Sequence, residues 1–256
     1  MSEQKEPHTD EAAKTTHFGY ENVRVEEKEE KVAGVFNAVS SKYDIMNDVI
    51  SFGSHRLLKR FTVEISGIRE GDKLLDVAGG TGDFAKLFSR KVGKAGTIYL
   101  SDINESMLLE GRNRLIDSGI SNVEYILASG EALPFPDNFF DCVTIGYGIR
   151  NFTHKDKALE DIARVLKPGG RLLVLEFSKP QNPLVSKAAD AYSSLWPAFG
   201  KLLVGDGAPY QYLVESIRMH PDQDTFKAMI EAAGLSKVKY YNFMSGVCAL
   251  HRAVKI

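Results

Sequence analysis

The sequence predicts an α/β fold in which a mostly parallel sheet is covered by helices on both faces. Apolar, strand-like runs alternate with helical repeats through five strands, and two further strand-like runs near the C-terminus are spaced as a closing hairpin. Parallel neighbours need crossover connections, so the helices between these strands belong on the faces of one sheet. The five strands and the hairpin together predict a Rossmann-like, seven-stranded sheet with an antiparallel C-terminal edge.

The individual elements follow from periodicity and from the residues that interrupt it. Short apolar runs predict the five alternating strands at 73–78, 97–102, 123–128, 140–145 and 171–177. Apolar residues at helical spacing predict the helices at 84–90, 105–118, 155–166 and 224–233. Glycines and prolines end elements, as at 167–170 after the third of these helices and at Gly234 after the fourth. The closing hairpin is predicted at 238–242 and 246–254.

Composition limits the class of protein. The chain has 256 residues, of which 43% are hydrophobic and 26% charged, and its net charge is −2. These values describe a globular chain without a nucleic-acid-binding surface. Cys142 and Cys248 lie far apart with neither disulfide nor metal-ligand spacing, which predicts buried thiols in a reducing compartment and no metal centre.

The chain divides into a polar tail and one domain. Residues 1–31 predict a mobile or helical tail, and no apolar run is long enough for a signal peptide or a membrane span. Residues 32–256 predict a single domain with a helical cap at 32–70 and an aromatic-rich insertion at 178–236. Leu195, Phe199 and Leu202 share a helix face in that insertion, which most simply packs on the core but could also cover a large apolar ligand.

A glycine-rich turn follows the first strand. Asp76 is near the end of the strand, Gly79, Gly80 and Gly82 lie in the turn, and a helix follows, which is typical of a nucleotide-binding loop. The spacing also fits the loose dinucleotide pattern, so an NAD-dependent oxidoreductase is one reading. However, Asp76 and Asp83 would repel a pyrophosphate and suit a cation. S-adenosylmethionine carries a sulfonium and an ammonium group and no phosphate, so the loop favours it as the cofactor.

Polar residues at the ends of later strands extend the predicted site. Asp102 lies 20 residues after Gly82, the spacing at which a carboxylate reaches ribose hydroxyls in such folds. Ser129 and Gly130 follow the third strand, where the loop could meet adenine. Arg150 and Asn151 follow the fourth strand and its glycines, and because ligands bind at the carboxyl ends of open parallel sheets, this pair is expected to face the substrate.

Four stretches carry a resemblance to a known family, at 43–55, 148–151, 164–178 and 215–224. Through them the chain resembles the C-methyltransferases of ubiquinone and menaquinone biosynthesis, which have the class I S-adenosylmethionine-dependent methyltransferase fold. The resemblance implies that the cofactor lies against Thr81, Asp102, Ser129, Gly130 and Gly146. It also implies a cytoplasmic enzyme without a metal.

The implied reaction transfers a methyl group to a ring carbon of a polyprenylated quinol. The two substrates would be demethylmenaquinol and 2-methoxy-6-polyprenyl-1,4-benzoquinol. Arg150 and Asn151 are expected to stabilise the phenolate, with Tyr43 closing over it. A prenylated substrate implies transient peripheral contact with the inner face of the membrane. A homodimer, a quinone-synthesis complex, a different methyl acceptor and a non-catalytic scaffold of such a complex remain open.

Overall fold

The computed structural model describes residues 15–39, 48, 50, 51 and 53–256. The described residues form a seven-stranded sheet and a separate hairpin. The hairpin strands are β1 (Thr15–Phe18) and β2 (Glu21–Arg24), and the sheet contains β3 (Lys73–Val77), β4 (Thr97–Asp102), β5 (Val123–Leu127), β6 (Phe140–Gly146), β7 (Leu166–Phe177), β8 (Ser236–Phe243) and β9 (Cys248–Val254). The predicted Tyr43 lies outside the described residues.

The sheet order is β5-β4-β3-β6-β7-β9-β8. Strands β3 to β7 pair in parallel, and β9 pairs antiparallel with both β7 and β8. The order reverses between β3 and β6, because the chain runs outward from β3 to β5 before it returns. Such a reversal leaves a crevice at the carboxyl ends of the two central strands, where ligands bind in open sheets. The predicted parallel sheet with an antiparallel C-terminal hairpin is confirmed.

Helices cover both faces of the sheet. They are α1 (Val25–Val39), α2 (Ser54–Ile65), α3 (Asp83–Val92), α4 (Glu105–Asp117), α5 (Lys155–Val165), α6 (Pro183–Ser193), α7 (Trp196–Val204), α8 (Ala208–Met219) and α9 (Gln223–Ala232). One apolar cluster packs α5 and α9 on one face, and a second packs α2, α3 and α4 on the other. The central strands are buried on both faces, which explains their continuous apolar runs. Among the described residues, no helix is both long enough and apolar enough to cross a membrane.

Strand β7 begins earlier than the sequence predicts. The prediction starts it at Arg171, because proline and glycine at 168–170 are poor strand residues. In the structure Leu166 already pairs with Phe140, and the register then shifts before Cys142 pairs with Arg171. An irregularity of this kind accommodates residues that cannot continue a regular ladder.

The N-terminal segment also differs from the prediction. Where the sequence suggests a tail as far as residue 31, hairpin β1–β2 and helix α1 form from Thr15 onward. The ring of Phe18 stacks on Tyr212 of α8 with 4.3 Å between centroids, and Val23 is buried. A polar sequence with few apolar residues can therefore order itself against the domain, and local composition does not reveal that contact.

The predicted insertion at 178–236 contains the helices α6, α7, α8 and α9. The simplest reading of Leu195, Phe199 and Leu202, that they pack on the core, is wrong, because these side chains are 51%, 37% and 83% exposed. Helix α6 contains no buried residue at all. The face that the sequence assigns to the core points outward instead.

Candidate active site

The glycine turn between β3 and α3 has the backbone of a ligand-binding loop. Ala78, Gly80 and Gly82 all have positive φ, with values of 51°, 52° and 80°. A Cβ on Gly79 would lie 2.7 Å from the Asp76 carboxylate and would also collide with Leu100, so a side chain is excluded there. The turn is thereby held close to the sheet, which leaves its outer surface free for a ligand.

A cleft opens at the carboxyl ends of the central strands. The predicted cofactor residues that line it are Gly80, Asp102, Ser129, Gly130 and Gly146. Four other predicted cofactor residues are not among those that line the cleft. Asp76 is in β3 beneath the turn, and the turn itself contains Gly79, Thr81 and Gly82. Helix α1 covers the opposite side with Lys28, Val32, Ala33 and Phe36, which the sequence analysis did not place in the site. The helical spacing of Val32 and Phe36 predicts an apolar face but not which surface it covers.

Asp102 is the buried acid of the cleft. One carboxylate oxygen accepts the Gly80 N–H at 2.8 Å, and the other accepts the Asn104 N–H at 2.8 Å. Burial raises the pKa of the Asp102 carboxyl, although these backbone hydrogen bonds oppose the shift. A carboxylate has about four acceptor positions, and the backbone of Gly80, Ile103 and Asn104 uses part of them, so Asp102 can still accept a hydroxyl group.

The two carboxylates that the sequence analysis placed beside the cofactor behave differently. The prediction that Asp83 contributes negative charge to the pocket is wrong, because its carboxylate is 2.6 Å from Lys59 Nζ and 3.4 Å from an Arg114 nitrogen. Burial opposes ionisation of Asp83, but Lys59 and Arg114 together lower its pKa. Burial raises the pKa of Asp76 to about 7, and Thr144 donates to its Oδ1 at 2.9 Å. The other Asp76 oxygen is buried, with no hydrogen-bond partner among the described residues.

A second, larger cavity adjoins the cleft. It has a volume of about 880 Å³, at the upper end of the range for small-molecule sites. Apolar and aromatic side chains make most of its wall, including Phe177, Val185, Tyr192, Trp196 and Val214. Helices α6 and α8 enclose it together with the loops after β7 and β8. This part of the insertion therefore surrounds an apolar space, and whether it covers a large apolar ligand stays a prediction.

Tyr147 lies at the junction and lines both the cleft and the cavity. Its backbone has φ of 59°, which is rare for a bulky side chain and costs about 1–3 kcal/mol. The backbone is held in place because its N–H donates to the Leu175 carbonyl at 2.8 Å and its carbonyl accepts from the Arg150 guanidinium. The ring lies 5.0 Å from that of Phe177. Sequence reasoning missed Tyr147, since a tyrosine between two glycines carries no signal for this conformation.

Arg150 lines neither the cleft nor the apolar cavity. Its guanidinium lies 3.0 Å from the Glu176 carboxylate, and the two side chains are only 5% and 2% exposed. The same group donates to the Tyr147 carbonyl, so it fixes the loop that carries Tyr147. Asn151 does line the cleft, and its Oδ1 accepts the Tyr212 hydroxyl at 3.0 Å. The positive charge that the sequence analysis assigned to a phenolate is thus already paired with a buried carboxylate.

A serine and a histidine lie together at the cavity wall. Ser51 lines the cavity, and its Oγ is 2.7 Å from Nδ1 of the buried His55. Burial is the main cause that lowers the pKa of His55, and the nearby Lys59 lowers it further. Neutral imidazole therefore predominates at pH 7 and can accept a proton. The 43–55 signature contains both residues, but only the structure brings them into contact beside the cavity.

Comparison with known proteins extends these observations. The family model of the ubiE/COQ5 methyltransferase family matches residues 24–255. The ubiquinone/menaquinone biosynthesis C-methyltransferase UbiE of Pseudomonas entomophila is 60% identical over 248 residues, which cover 96% of this chain and 97% of that protein. A relative of the same name from Pseudomonas putida is also 60% identical over 248 residues, with the same coverage of both chains.

Solved structures show the same fold. A SAM-dependent methyltransferase from Aquifex aeolicus superposes with a TM-score of 0.58 at 21% identity, covering 77% of this chain and 89% of that one. The phosphoethanolamine N-methyltransferase 2 of Haemonchus contortus, solved in complex with S-adenosyl-L-methionine, has a TM-score of 0.59 at 16% identity and covers 77% of this chain and 52% of that one. The class I fold prediction is confirmed. With a match across nearly its whole length, the chain belongs to the ubiE/COQ5 methyltransferase family.

Proposed function

We propose that this chain transfers a methyl group from S-adenosylmethionine to a ring carbon of a polyprenylated quinol. The observation that carries the proposal is Tyr147, which lines both the cleft that contains the Asp102 carboxylate and the apolar cavity of about 880 Å³. A donor held in the cleft and a lipid-like acceptor held in the cavity would meet at this residue. The two proposed substrates are demethylmenaquinol and 2-methoxy-6-polyprenyl-1,4-benzoquinol, in keeping with the name of the relatives at 60% identity.

The residues of the cleft fit the cofactor. Asp102 retains acceptor capacity for a ribose hydroxyl group, and Gly80 presents its backbone without a side chain. The unpartnered oxygen of Asp76 offers a buried acceptor beneath the turn for a cationic group. Ser129 and Gly130 would border the adenine, and Gly146 would leave room beside Tyr147. When bound, S-adenosylmethionine supplies an electrophilic methyl group on a positively charged sulfur.

Replacing Asp102 with asparagine is expected to weaken cofactor binding by about 1.5–3 kcal/mol, roughly 10- to 150-fold in Kd, because an amide accepts fewer hydrogen bonds and carries no charge. Calorimetric titration with S-adenosylhomocysteine measures this change. The matched control is Asp141→Asn, since Asp141 lies at the far end of β6 and pairs with Lys167 at 2.8 Å. If the wild type and the Asp102 variant bound S-adenosylhomocysteine with equal affinity, Asp102 would not be a cofactor-binding residue.

The chain's chemical task is to ionise the acceptor and to orient it. A phenol with a pKa of about 10 is roughly one-thousandth ionised at pH 7, so a site that secures the phenolate lowers the barrier by about 4 kcal/mol. Ser51 lies at the cavity wall with His55 behind it, so the ring hydroxyl can pass its proton through the serine hydroxyl to the imidazole. Asn151, held by the Tyr212 hydroxyl, would direct polar groups of the reactants at the cleft. Tyr43 keeps its predicted role as a closing residue.

We propose that Tyr147 orients the ring of the acceptor and that Arg150 holds Tyr147 in place. Burial raises the pKa of the Tyr147 hydroxyl well above 10, so it stays neutral, and its nearest polar contact is the Cys248 sulfur at 3.9 Å. The hydroxyl is thus a poor proton acceptor. What the residue offers is the flat face of its ring, fixed by the loop and by Phe177.

Tyr147→Phe is expected to retain turnover within about threefold, and Tyr147→Ala to lower it by roughly 10- to 100-fold, because misplacement of the acceptor loses part of the orientation effect. Steady-state kinetics with a short-chain quinol measures the turnover of both variants. In Tyr147→Ala, kcat should fall more than the affinity for S-adenosylhomocysteine. A large loss in Tyr147→Phe would assign the role to the hydroxyl instead.

Methylation of short-chain analogues of both quinols tests the proposed function directly. The chain, purified under reducing conditions with S-adenosylmethionine, should yield the methylated product of at least one analogue, detected by mass spectrometry. S-adenosylhomocysteine should raise the Tm and NADH should not, which separates this function from the oxidoreductase reading. An absence of product together with an absence of any Tm increase would favour the scaffold reading. The proposal places the chain in the cytoplasm, in peripheral contact with the membrane that holds its substrate.

A further inference from the structure

An apolar stripe runs along the outside of helices α6 and α7. Its members recur at helical spacing and are all exposed: Leu184, Ala188, Ala191, Leu195, Phe199 and Leu202. The turn between the two helices preserves the stripe, because the Leu195 N–H donates to Tyr192 and the Phe199 N–H donates to Leu195, both at 3.1 Å. Leu184 and Leu202, near its two ends, are 76% and 83% exposed. Single exposed leucines are ordinary, but a continuous exposed stripe marks a contact surface.

The stripe lies on the outer side of the cavity wall. Val185, Ala189 and Tyr192 line the cavity from α6, whereas Leu184 and Ala191 of the same helix face away from it. Ala188 belongs to both surfaces. Because α6 buries no residue, this single helix separates the apolar cavity from the surroundings. A cavity of this size holds a quinol ring and the start of its tail, so a long polyprenyl tail has to extend beyond the cavity.

Two lysines flank the stripe. Lys187 of α6 and Lys201 of α7 are exposed, and no ion pair to either is seen among the described residues. The acidic Asp190 on α6 is already paired with Arg218 at 3.3 Å. Apolar side chains on one face with lysines beside them are the arrangement by which helices lie in the interface of a bilayer with anionic lipids.

We propose that the apolar stripe of α6 and α7 docks on an anionic lipid surface and places the mouth of the cavity at that surface. The proposal rests on the proposed function for its purpose, since the acceptor would be a membrane-dissolved quinol. The leucines and Phe199 enter the headgroup region, while Lys187 and Lys201 meet the lipid phosphates. The quinol ring then enters the cavity beside α6 without its tail leaving the lipid.

Sedimentation with vesicles tests the surface independently of the chemistry. Quinol-free vesicles of phosphatidylcholine and phosphatidylglycerol in equal parts should bind the wild-type chain, and phosphatidylcholine alone should bind it less. The double variant Leu184→Glu/Leu202→Glu should bind the mixed vesicles roughly tenfold less well or worse, because both side chains lose apolar contact and gain charge. Lys187→Gln and Lys201→Gln should each weaken binding to the mixed vesicles by about fivefold.

The matched control is Ile116→Glu, which changes an apolar residue of α4 that is 53% exposed outside the stripe. It should bind vesicles like the wild type. The double variant should methylate a short-chain quinol in solution at the wild-type rate but lose activity on a long-chain quinol in vesicles. Equal vesicle binding by the double variant and the control would overturn the proposal. It would also be overturned if the wild-type chain were a dimer that the double substitution converted to a monomer without changing vesicle binding, since the stripe would then be a dimer interface. Failure of the wild type to methylate the short-chain quinol would instead refute the proposed function.

Discussion

Arg150→Ala is expected to lower the free energy of unfolding by about 3–5 kcal/mol, because it leaves the Glu176 carboxylate buried without its partner. The guanidinium and the carboxylate are 3.0 Å apart, and both side chains are almost fully excluded from solvent. The variant also loses the hydrogen bond that holds the Tyr147 carbonyl in its strained loop. Urea denaturation followed by circular dichroism measures the change.

Lys227→Ala provides the contrasting control for this prediction. Lys227 and Glu231 form a 3.8 Å ion pair on the exposed face of α9, and such pairs contribute only about 0.3–0.5 kcal/mol. A second variant, Arg150→Met with Glu176→Leu, should recover much of the lost stability, since it removes both buried charges together. If Arg150→Ala lowered the free energy of unfolding by less than about 1 kcal/mol, Arg150 would not be stabilising the fold through a buried ion pair. In that case its predicted contact with the phenolate would become the better assignment.

His55→Asn is expected to lower kcat by roughly 10²- to 10⁴-fold, the usual contribution of a proton acceptor. Wild-type turnover should fall as the pH drops through the pKa of His55, which lies below its ordinary value of 6.5. The direction follows because the neutral imidazole is the active form and protonation removes it. The variant should lose this acidic limb of the pH profile, and Ser51→Ala should show a smaller loss of kcat.

His154→Gln is the matched control, because His154 precedes α5 without capping it and is not among the residues that line the cleft or the cavity. It should keep both the rate and the pH profile of the wild type. Affinity for S-adenosylhomocysteine should be unchanged in all three variants, which separates the loss of proton transfer from misfolding of the cofactor site. If His55→Asn retained the acidic limb, the proton acceptor would have to be sought elsewhere on the cavity wall.

The structure contradicts part of the reason for which the glycine turn predicts S-adenosylmethionine. Two carboxylates near the glycine turn suggested a doubly negative pocket, yet the Asp83 carboxylate is held by Lys59 and Arg114. Lys59 is 24 residues away along the chain, on α2, and no local pattern reveals that it reaches back to the start of α3. Asp102, by contrast, does line the cleft, because its distance from the turn reflects the length of one βα crossover.

The sequence by itself determined the fold and the identity of the strand ends that form the cleft. Periodicity and glycine placement are local properties, and each strand of a parallel sheet carries its ligand-facing residues at the same end. The tertiary structure alone decided which charges are already paired, as for Arg150 with Glu176, and which apolar faces are left exposed, as for the face with Leu195, Phe199 and Leu202. Both depend on contacts between segments distant in sequence, and a helix face has the same pattern whether it meets the core, a ligand or a membrane.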